Sequence, residues 1–182
     1  MHSLKKKFLI SMLTALIICI SSVTFAAMNP FADVPSGHWA YNAVTNLAAY
    51  GIIEGEGDGT FLGNKIATRY DVAMMVANLY HRKTHEEIAM SFNPFSDLPS
   101  NHRAAEAVVT LARAGIEEGY GDGTFRGNRN ITKGELRTML NNLFRVTGVN
   151  SKMKDNPDDV NDTITRYQLA VTLNKVYKVL FN

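Results

Sequence analysis

Cysteine is almost missing from this sequence. There is one in 182 residues, Cys19, and it falls in a segment that reads as a secretory leader. Over residues 1–27, Lys5, Lys6 and Lys7 supply the charged start, Phe8 to Ile20 an apolar run of signal-core length, and Ala26 and Ala27 the small-residue cleavage site. The apolar run is shorter than the roughly 20 residues a spanning helix needs, so cleavage is expected and no transmembrane segment in the mature chain. Ile18 before the cysteine is too bulky for a lipoprotein signal, so no lipid anchor is expected. Without Cys19 the mature chain has no disulfide, no thiol nucleophile and no thiolate metal site. An excess of basic charge is missing as well. Removing the three leader lysines lowers Lys+Arg from 19 to 16 against 17 Asp+Glu. With no basic stripe there is no electrostatic case for nucleic acid. Catalytic signatures are also lacking: no Gly-x-Ser-x-Gly elbow, no His-Glu-x-x-His and no phosphate loop. Gly55-x-Gly57-x-Gly59 has no strand before it or helix after it and reads as a turn. The sequence therefore gives no enzyme and no cofactor. With 46% apolar and 20% charged residues it has the composition of a folded protein.

What the sequence does contain is a duplication. Asn29-Pro30-Phe31-Ala32-Asp33-Val34-Pro35-Ser36 returns 64 residues later as Asn93-Pro94-Phe95-Ser96-Asp97-Leu98-Pro99-Ser100. The same offset carries Gly51-Ile52 to Gly115-Ile116, Gly57-Asp58-Gly59-Thr60-Phe61 to Gly121-Asp122-Gly123-Thr124-Phe125, and Gly63-Asn64 to Gly127-Asn128. A third, shorter copy is marked where Ile164-Thr165-Arg166-Tyr167-Gln168-Leu169 repeats Ile131-Thr132-Lys133-Gly134-Glu135-Leu136; Asn156-Pro157-Asp158-Asp159-Val160 reads as the remnant of its opening, and it lacks the first helix and the Gly-Asp-Gly loop. The expected organisation is a leader over 1–27, repeats over 28–92 and 93–150, and a truncated repeat over 151–182.

Each full repeat reads as helix–loop–helix. Ser36 and Ser100 follow proline and are expected N-caps. Trp39, Ala43, Val44, Leu47 and Ala48 fall on one helical face, and Gly51 and Gly115 stop the first helices. Phe61 and Phe125 are expected to plug the loops into the core. The second helices open with Thr68…Asp71, Thr132…Glu135 and Thr165…Gln168, the capping-box spacing, which Glu and Gln fit better than Asp. Behind them Val72, Val76 and Leu79 align with Leu136, Leu140 and Leu143, and with Leu169, Leu173 and Val176. Three helices sharing one apolar stripe bury it against each other. The expected fold is all-α, with a pseudo-threefold three-helix core and projecting short helices.

These motifs, Phe31-x-Asp33-Val34-Pro35, His38-Trp39-Ala40, Gly51-Ile52-Ile53-x-Gly55, Gly57-Asp58-Gly59-Thr60-Phe61 and Thr68-Arg69, resemble the S-layer-homology family, and Ile164-Thr165-Arg166-Tyr167 is close to its Ile-Thr-Arg-Ala-Glu motif. The Asn-Pro-Phe openings look most like repeats of proteins that tether an outer membrane to peptidoglycan. The resemblance implies non-covalent binding of a wall polymer, either peptidoglycan or a secondary cell-wall polysaccharide, by an exported envelope protein. It also implies ligand grooves between prongs, lined by the Arg of the Thr-Arg motif and nearby loop and aromatic residues.

On that basis Arg69 and Arg166 are the first candidates, because a guanidinium fork fits a carboxylate bidentately. Lys133 holds the same place in the second repeat and lacks the fork. Trp39 either stacks on a sugar or packs in the core; the second repeat has Arg103 there. Asp58 and Asp122 either bond their own tight turns or reach a sugar hydroxyl. Asp33 and Asp97 are expected to fix the opening turn. Glu54-x-Glu56-x-Asp58-Gly59 mimics the start of a calcium loop, but Lys65 stands where a bidentate Glu is required. His81 and His85 share a helical face but have no evident third ligand, so no metal is expected. The competing reading is self-assembly, a homo-oligomer or a complex with another envelope protein, prompted by the missing third prong and the absence of a cargo domain before Asn182.

Overall fold

The computed structural model describes residues 29–181; the expected leader, with Cys19, lies outside them. Among the described residues there are five α-helices: α1 (Tyr41–Ala49), α2 (Arg69–Thr84), α3 (Ala105–Arg113), α4 (Lys133–Val146) and α5 (Arg166–Phe181), with a 3-10 turn at Pro157–Asp159. The protein is all-α. No described helix is long and apolar enough to cross a membrane.

The three long helices start at the expected boxes. Thr68 and Asp71 exchange both cap bonds, as do Thr132 with Glu135 and Thr165 with Gln168. Asp71 closes its box as fully as Glu135 does, so the expected preference for the longer side chains has no counterpart in the geometry. The short helices depart from expectation. Ser36 and Ser100 cap nothing, because α1 and α3 begin only at Tyr41 and Ala105, after Ala40 and Ala104, with no side-chain cap bond. A tight turn intervenes, closed by the amide of His38 donating to Pro35 O at 2.9 Å. The rings of His38 and His102 take the Ala40 and Ala104 amides, each at 3.2 Å. Trp39 sits in that turn and is 64% exposed, which removes the core-packing alternative.

The shared stripe forms the core. All nine aligned residues, from Val72 to Val176, are buried, and Phe61 and Phe125 are fully enclosed beside them. Gly51 and Gly115 end α1 and α3 at φ of 67° and 68°, left-handed values that suit glycine.

A ring of backbone bonds closes the core at the helix N-termini. The first N–H groups of an α-helix have no partner inside it. Here the loop of another repeat supplies one. Arg69 N and Tyr70 N donate to Arg129 O and Gly127 O; Lys133 N and Gly134 N donate to Asp162 O and Val160 O; Arg166 N and Tyr167 N donate to Lys65 O and Gly63 O. Repeat 1 thus docks on repeat 2, repeat 2 on the partial repeat 3, and repeat 3 on repeat 1. Isolated bridges Thr68↔Asn130, Thr132↔Thr163 and Ile66↔Thr165 mark the same three joints. The pseudo-threefold is therefore a closed hydrogen-bond cycle.

The short helices lie parallel to core helices. His38 packs tilted against Tyr167 at the start of α5 (ring centroids 4.1 Å apart), and Tyr50 stacks on Tyr177 near its end (4.5 Å), so α1 runs beside α5. His102 stacks on Tyr70 (4.1 Å) and Arg113 donates to Glu87 O (3.2 Å), so α3 runs beside α2. The expected third prong would cover α4, and the side is not bare. Where α2 has fully buried Ala73 and Ala77, α4 has Arg137 and Asn141. Asn141 accepts the Met153 amide (2.7 Å), and Arg137 binds Asp159 (2.8 Å) and Asn156 O (3.0 Å), strapping the connecting segment across the helix. This strap takes the place of the absent prong, which was one of the two grounds for the self-assembly reading.

Candidate functional site

Grooves between repeats open at the end where the helices begin. Groove 1 lies between the repeat 1 loop, α2 and the start of α3, and is lined by Glu54, Asp71, Arg103, Glu106 and Arg166, with Met74, Met75 and Ile88 on its apolar wall. Groove 2 lies at the equivalent place in repeat 2, lined by Arg69, Glu117, Glu118, Tyr120, Arg129 and Glu135. Groove 3 lies against the partial repeat, lined by Lys133, Arg137, Lys154, Asp155, Asp159 and Gln168. The three basic residues singled out by sequence thus take one groove each. Trp39, Asp58 and Asp122 line none of these three. Trp39 stands beside Tyr167, ring centroids 6.1 Å apart.

The arginines do not present open forks. Arg69 is 3% exposed; its Nε donates to Phe125 O (2.9 Å) and its NH2 to Glu117 (2.8 Å), with Glu135 3.7 Å from NH1. Arg166 repeats the pattern one joint along, donating from Nε to Phe61 O (2.9 Å), pairing with Asp71, and reaching Glu56 at 3.3 Å. Each guanidinium also lies over the phenylalanine whose carbonyl it binds, at 4.7 Å over Phe125 and 4.8 Å over Phe61. The carboxylate-binding geometry expected for a ligand is used by the protein's own carboxylates. Lys133, with no fork, pairs at the third joint with Asp162 (3.1 Å) and Asp159 (3.5 Å), and these partners raise its pKa.

In groove 2, burial acts to raise the Glu135 pKa, but the Thr132 amide, the Tyr120 hydroxyl and the guanidiniums of Arg69 and Arg129 outweigh it, and the carboxyl is held below its ordinary value. Sequence reading missed the acidic partners Glu117 and Asp71, because they lie far from their arginines along the chain. It also missed Asn78 and Asn142, which hold Ile52 O and Ile116 O at 3.2 and 3.1 Å. Those two differ by the same 64-residue offset, so self-comparison contained the signal.

The turn aspartates bond their own loops. Asp58 accepts from the Thr60 amide and hydroxyl, and Asp122 from those of Thr124. Asp33 takes the amides of Phe61 and Leu62, both at 2.8 Å, and Asp97 those of Phe125 and Arg126, both at 2.7 Å. These carboxylates hold Leu62 and Arg126 in the left-handed region, at φ of 50° and 54°. The Thr124 hydroxyl and Arg126 bring the Asp122 pKa down to about 2. Because the folded value is depressed, the carboxylate's contribution is present above the ordinary aspartate range and is lost as pH falls through about 2. An NMR titration of the Asp122 carboxyl carbon is expected to have its midpoint near that pH. A midpoint at the ordinary aspartate value would contradict the turn geometry.

The comparisons with known proteins match this architecture. A model of the S-layer homology domain matches residues 30–73 and 94–136. The chain carries two S-layer homology domains. Each match runs from the Asn-Pro-Phe opening into the first turns of a core helix. The chain is 44% identical over 81 residues to the outer membrane protein SlpA of Thermus thermophilus, covering 44% of this chain and 9% of that protein. It is 26% identical over 162 residues to the S-layer protein EA1 of Bacillus anthracis, covering 88% of this chain and 18% of that one. A cell surface protein of Thermoanaerobacter kivui is 31% identical over 132 residues, 72% of this chain and 17% of the relative. The chain thus spans less than a fifth of the length of these relatives. The residues shared by the two S-layer homology domains include the opening aspartate that holds its own loop, the phenylalanine plug and the loop glycine against which a neighbouring helix docks.

Proposed function

We propose that the chain is a non-enzymatic, exported envelope protein that binds a cell-wall polymer in the grooves between its repeats, and that the polymer is peptidoglycan. One observation carries the choice of polymer. In groove 1 the carboxylates of Glu54, Asp71 and Glu106 face the cations Arg103 and Arg166, and in groove 2 Glu117, Glu118 and Glu135 face Arg69 and Arg129. Grooves 1 and 2 have more carboxylates than cations, and a polyanionic secondary polysaccharide would be repelled from both, whereas groove 3 has the reverse balance, Lys133, Arg137 and Lys154 against Asp155 and Asp159. Peptidoglycan offers ammonium groups and uncharged sugar hydroxyls that these carboxylates accept. The similarity to S-layer and outer membrane proteins supports a place at the cell surface, with the chain as anchor or adaptor.

Co-sedimentation with purified sacculi tests this reading before and after acid stripping of attached polysaccharide. Binding is expected to survive stripping. A Glu54→Ala and Glu106→Ala double substitution, at exposed positions of groove 1, is expected to weaken it about tenfold, as for loss of about 1.4 kcal/mol of contacts. Loss of sedimentation on stripping would assign the ligand to the polysaccharide. No sedimentation with either material would remove wall binding altogether.

A further inference from the structure

The end of the molecule where the helices finish has a different chemistry from the groove end. Of the 17 Asp and Glu residues only Glu86 and Glu87 lie there, just past α2. Arg82, Lys83, Lys175 and Lys178 lie at the same end, and α5 contains no acidic residue. Among the described residues no carboxylate pairs with any of these four cations, whereas Arg69, Arg129 and Arg166 at the groove end are all paired. A cleft of about 610 Å³ opens here between Tyr50, Arg82, Lys83 and Phe181, with no carboxylate in its lining. Its aromatic wall is a ladder: Tyr50 on Tyr177 and Tyr177 on Phe181, each with ring centroids 4.5 Å apart. The Arg82 guanidinium sits 5.0 Å above the Tyr50 ring.

Cations at helix C-termini compensate the helix dipole, and Lys83 does so directly, donating to Leu180 O at 2.6 Å. Dipole compensation does not account for exposed apolar surface beside them. Tyr50 is 42% and Val179 45% exposed. Rings and aliphatic side chains at headgroup depth, flanked by cations that reach phosphate, are the chemistry of a face that rests on an anionic membrane. A soluble anionic glycan would satisfy the charge and leave Val179 uncovered.

We propose that this end is a docking face for an anionic lipid surface, with Arg82 and Lys178 engaging headgroup phosphates while Tyr50, Val179 and Phe181 enter the headgroup layer. None of these five side chains lines a groove, although Asn78 lines both this cleft and groove 1, so the face stands independently of the wall-binding reading.

The test is sedimentation of the leaderless chain with vesicles of phosphatidylglycerol and phosphatidylcholine against vesicles of phosphatidylcholine alone, at low and high salt. Binding to the anionic vesicles only, released by high salt, is expected. Arg82→Gln with Lys178→Gln is expected to weaken it about 30-fold, the effect of removing two cations at the surface. Circular dichroism melting of the same variant, expected to match the wild type, checks that it folds, and sacculus binding measured in parallel is expected to be unchanged, which separates this face from the grooves. Equal binding to neutral vesicles, no binding to anionic ones, or wild-type binding by the variant would overturn the proposal. So would capture of a soluble anionic glycan, or self-association through this face, in place of vesicle binding.

Discussion

Replacing Arg166 with methionine is expected to destabilise the fold by about 3 kcal/mol, at the lower end of the range for breaking a buried ion pair from one side. For a domain of this size that lowers the thermal midpoint by about 10 °C. The Arg166 side chain is 3% exposed and its partner Asp71 11%. Removing the guanidinium leaves an uncompensated carboxylate in that setting and strips a donor from Phe61 O, 105 residues away along the chain. Asp71 keeps its two capping-box bonds to Thr68, which moderates the loss. Asp71→Asn retains a cap acceptor and removes the charge, so the double variant Asp71→Asn with Arg166→Met is expected to be more stable than the sum of the single losses by 1 kcal/mol or more. Arg126→Ala, which removes an exposed pair with Asp122, is the control and is expected to leave the midpoint almost unmoved. Calorimetry or circular dichroism melting reads all four. Equal midpoints for Arg166→Met and Arg126→Ala would show that the joint between the third and first repeats does not depend on this arginine. The same result bears on function, because substituting Arg69 or Arg166 tests the fold before it tests a ligand. Exposed Glu54 and Glu106 are the cleaner probes of the groove.

The fold was legible because its determinants are local or periodic. The capping boxes, the apolar stripe from Val72 to Val176 and the phenylalanine plugs are short-range patterns, and the duplication at a 64-residue offset doubled each signal. The short helices were misjudged at their starts because serine after proline also suits a turn, and the histidine ring that serves the first amide is not a usual cap. The site was legible only as a set of positions. Sequence placed Arg69, Lys133 and Arg166 at equivalent helix starts, and the structure gives each a groove. That Glu117, Asp71 and Glu56 would occupy the guanidiniums is a tertiary fact, since each lies on a different element from its arginine. The polar face of α4 lay in plain view, with Arg137 and Asn141 aligned to Ala73 and Ala77, but it acquires meaning only once α3 is known to cover the equivalent face of α2.

Gly127→Ala is expected to be comparably damaging, about 3 kcal/mol, the upper end of overpacking costs. A Cβ at Gly127 would overlap the ring of Tyr70, and one at Gly63 would overlap Tyr167 in the same way. Tyr70 cannot retreat. Its ring is 4.1 Å from His102 and 5.6 Å from Phe125, and its amide is bonded to Gly127 O at 2.9 Å. The remaining joint shows the alternative solution. Gly134 stands where the other core helices have Tyr70 and Tyr167, and Val160 of the partial repeat fills the space against it. The two sides of a joint therefore trade volume, with a ring on the helix facing a glycine on the loop, or the reverse. Transplanting the second arrangement as Tyr70→Gly with Gly127→Val is expected to recover part of the sum of the single losses. Gly121→Ala, with open space around its Cβ, is the matched control and is expected to melt with the wild type. If Gly127→Ala melts with that control, the loop yields at the joint and the contact does not fix how the repeats dock. If Gly127→Ala is severe and the transplant recovers stability, the volume trade at each joint is what lets a truncated third repeat close the ring.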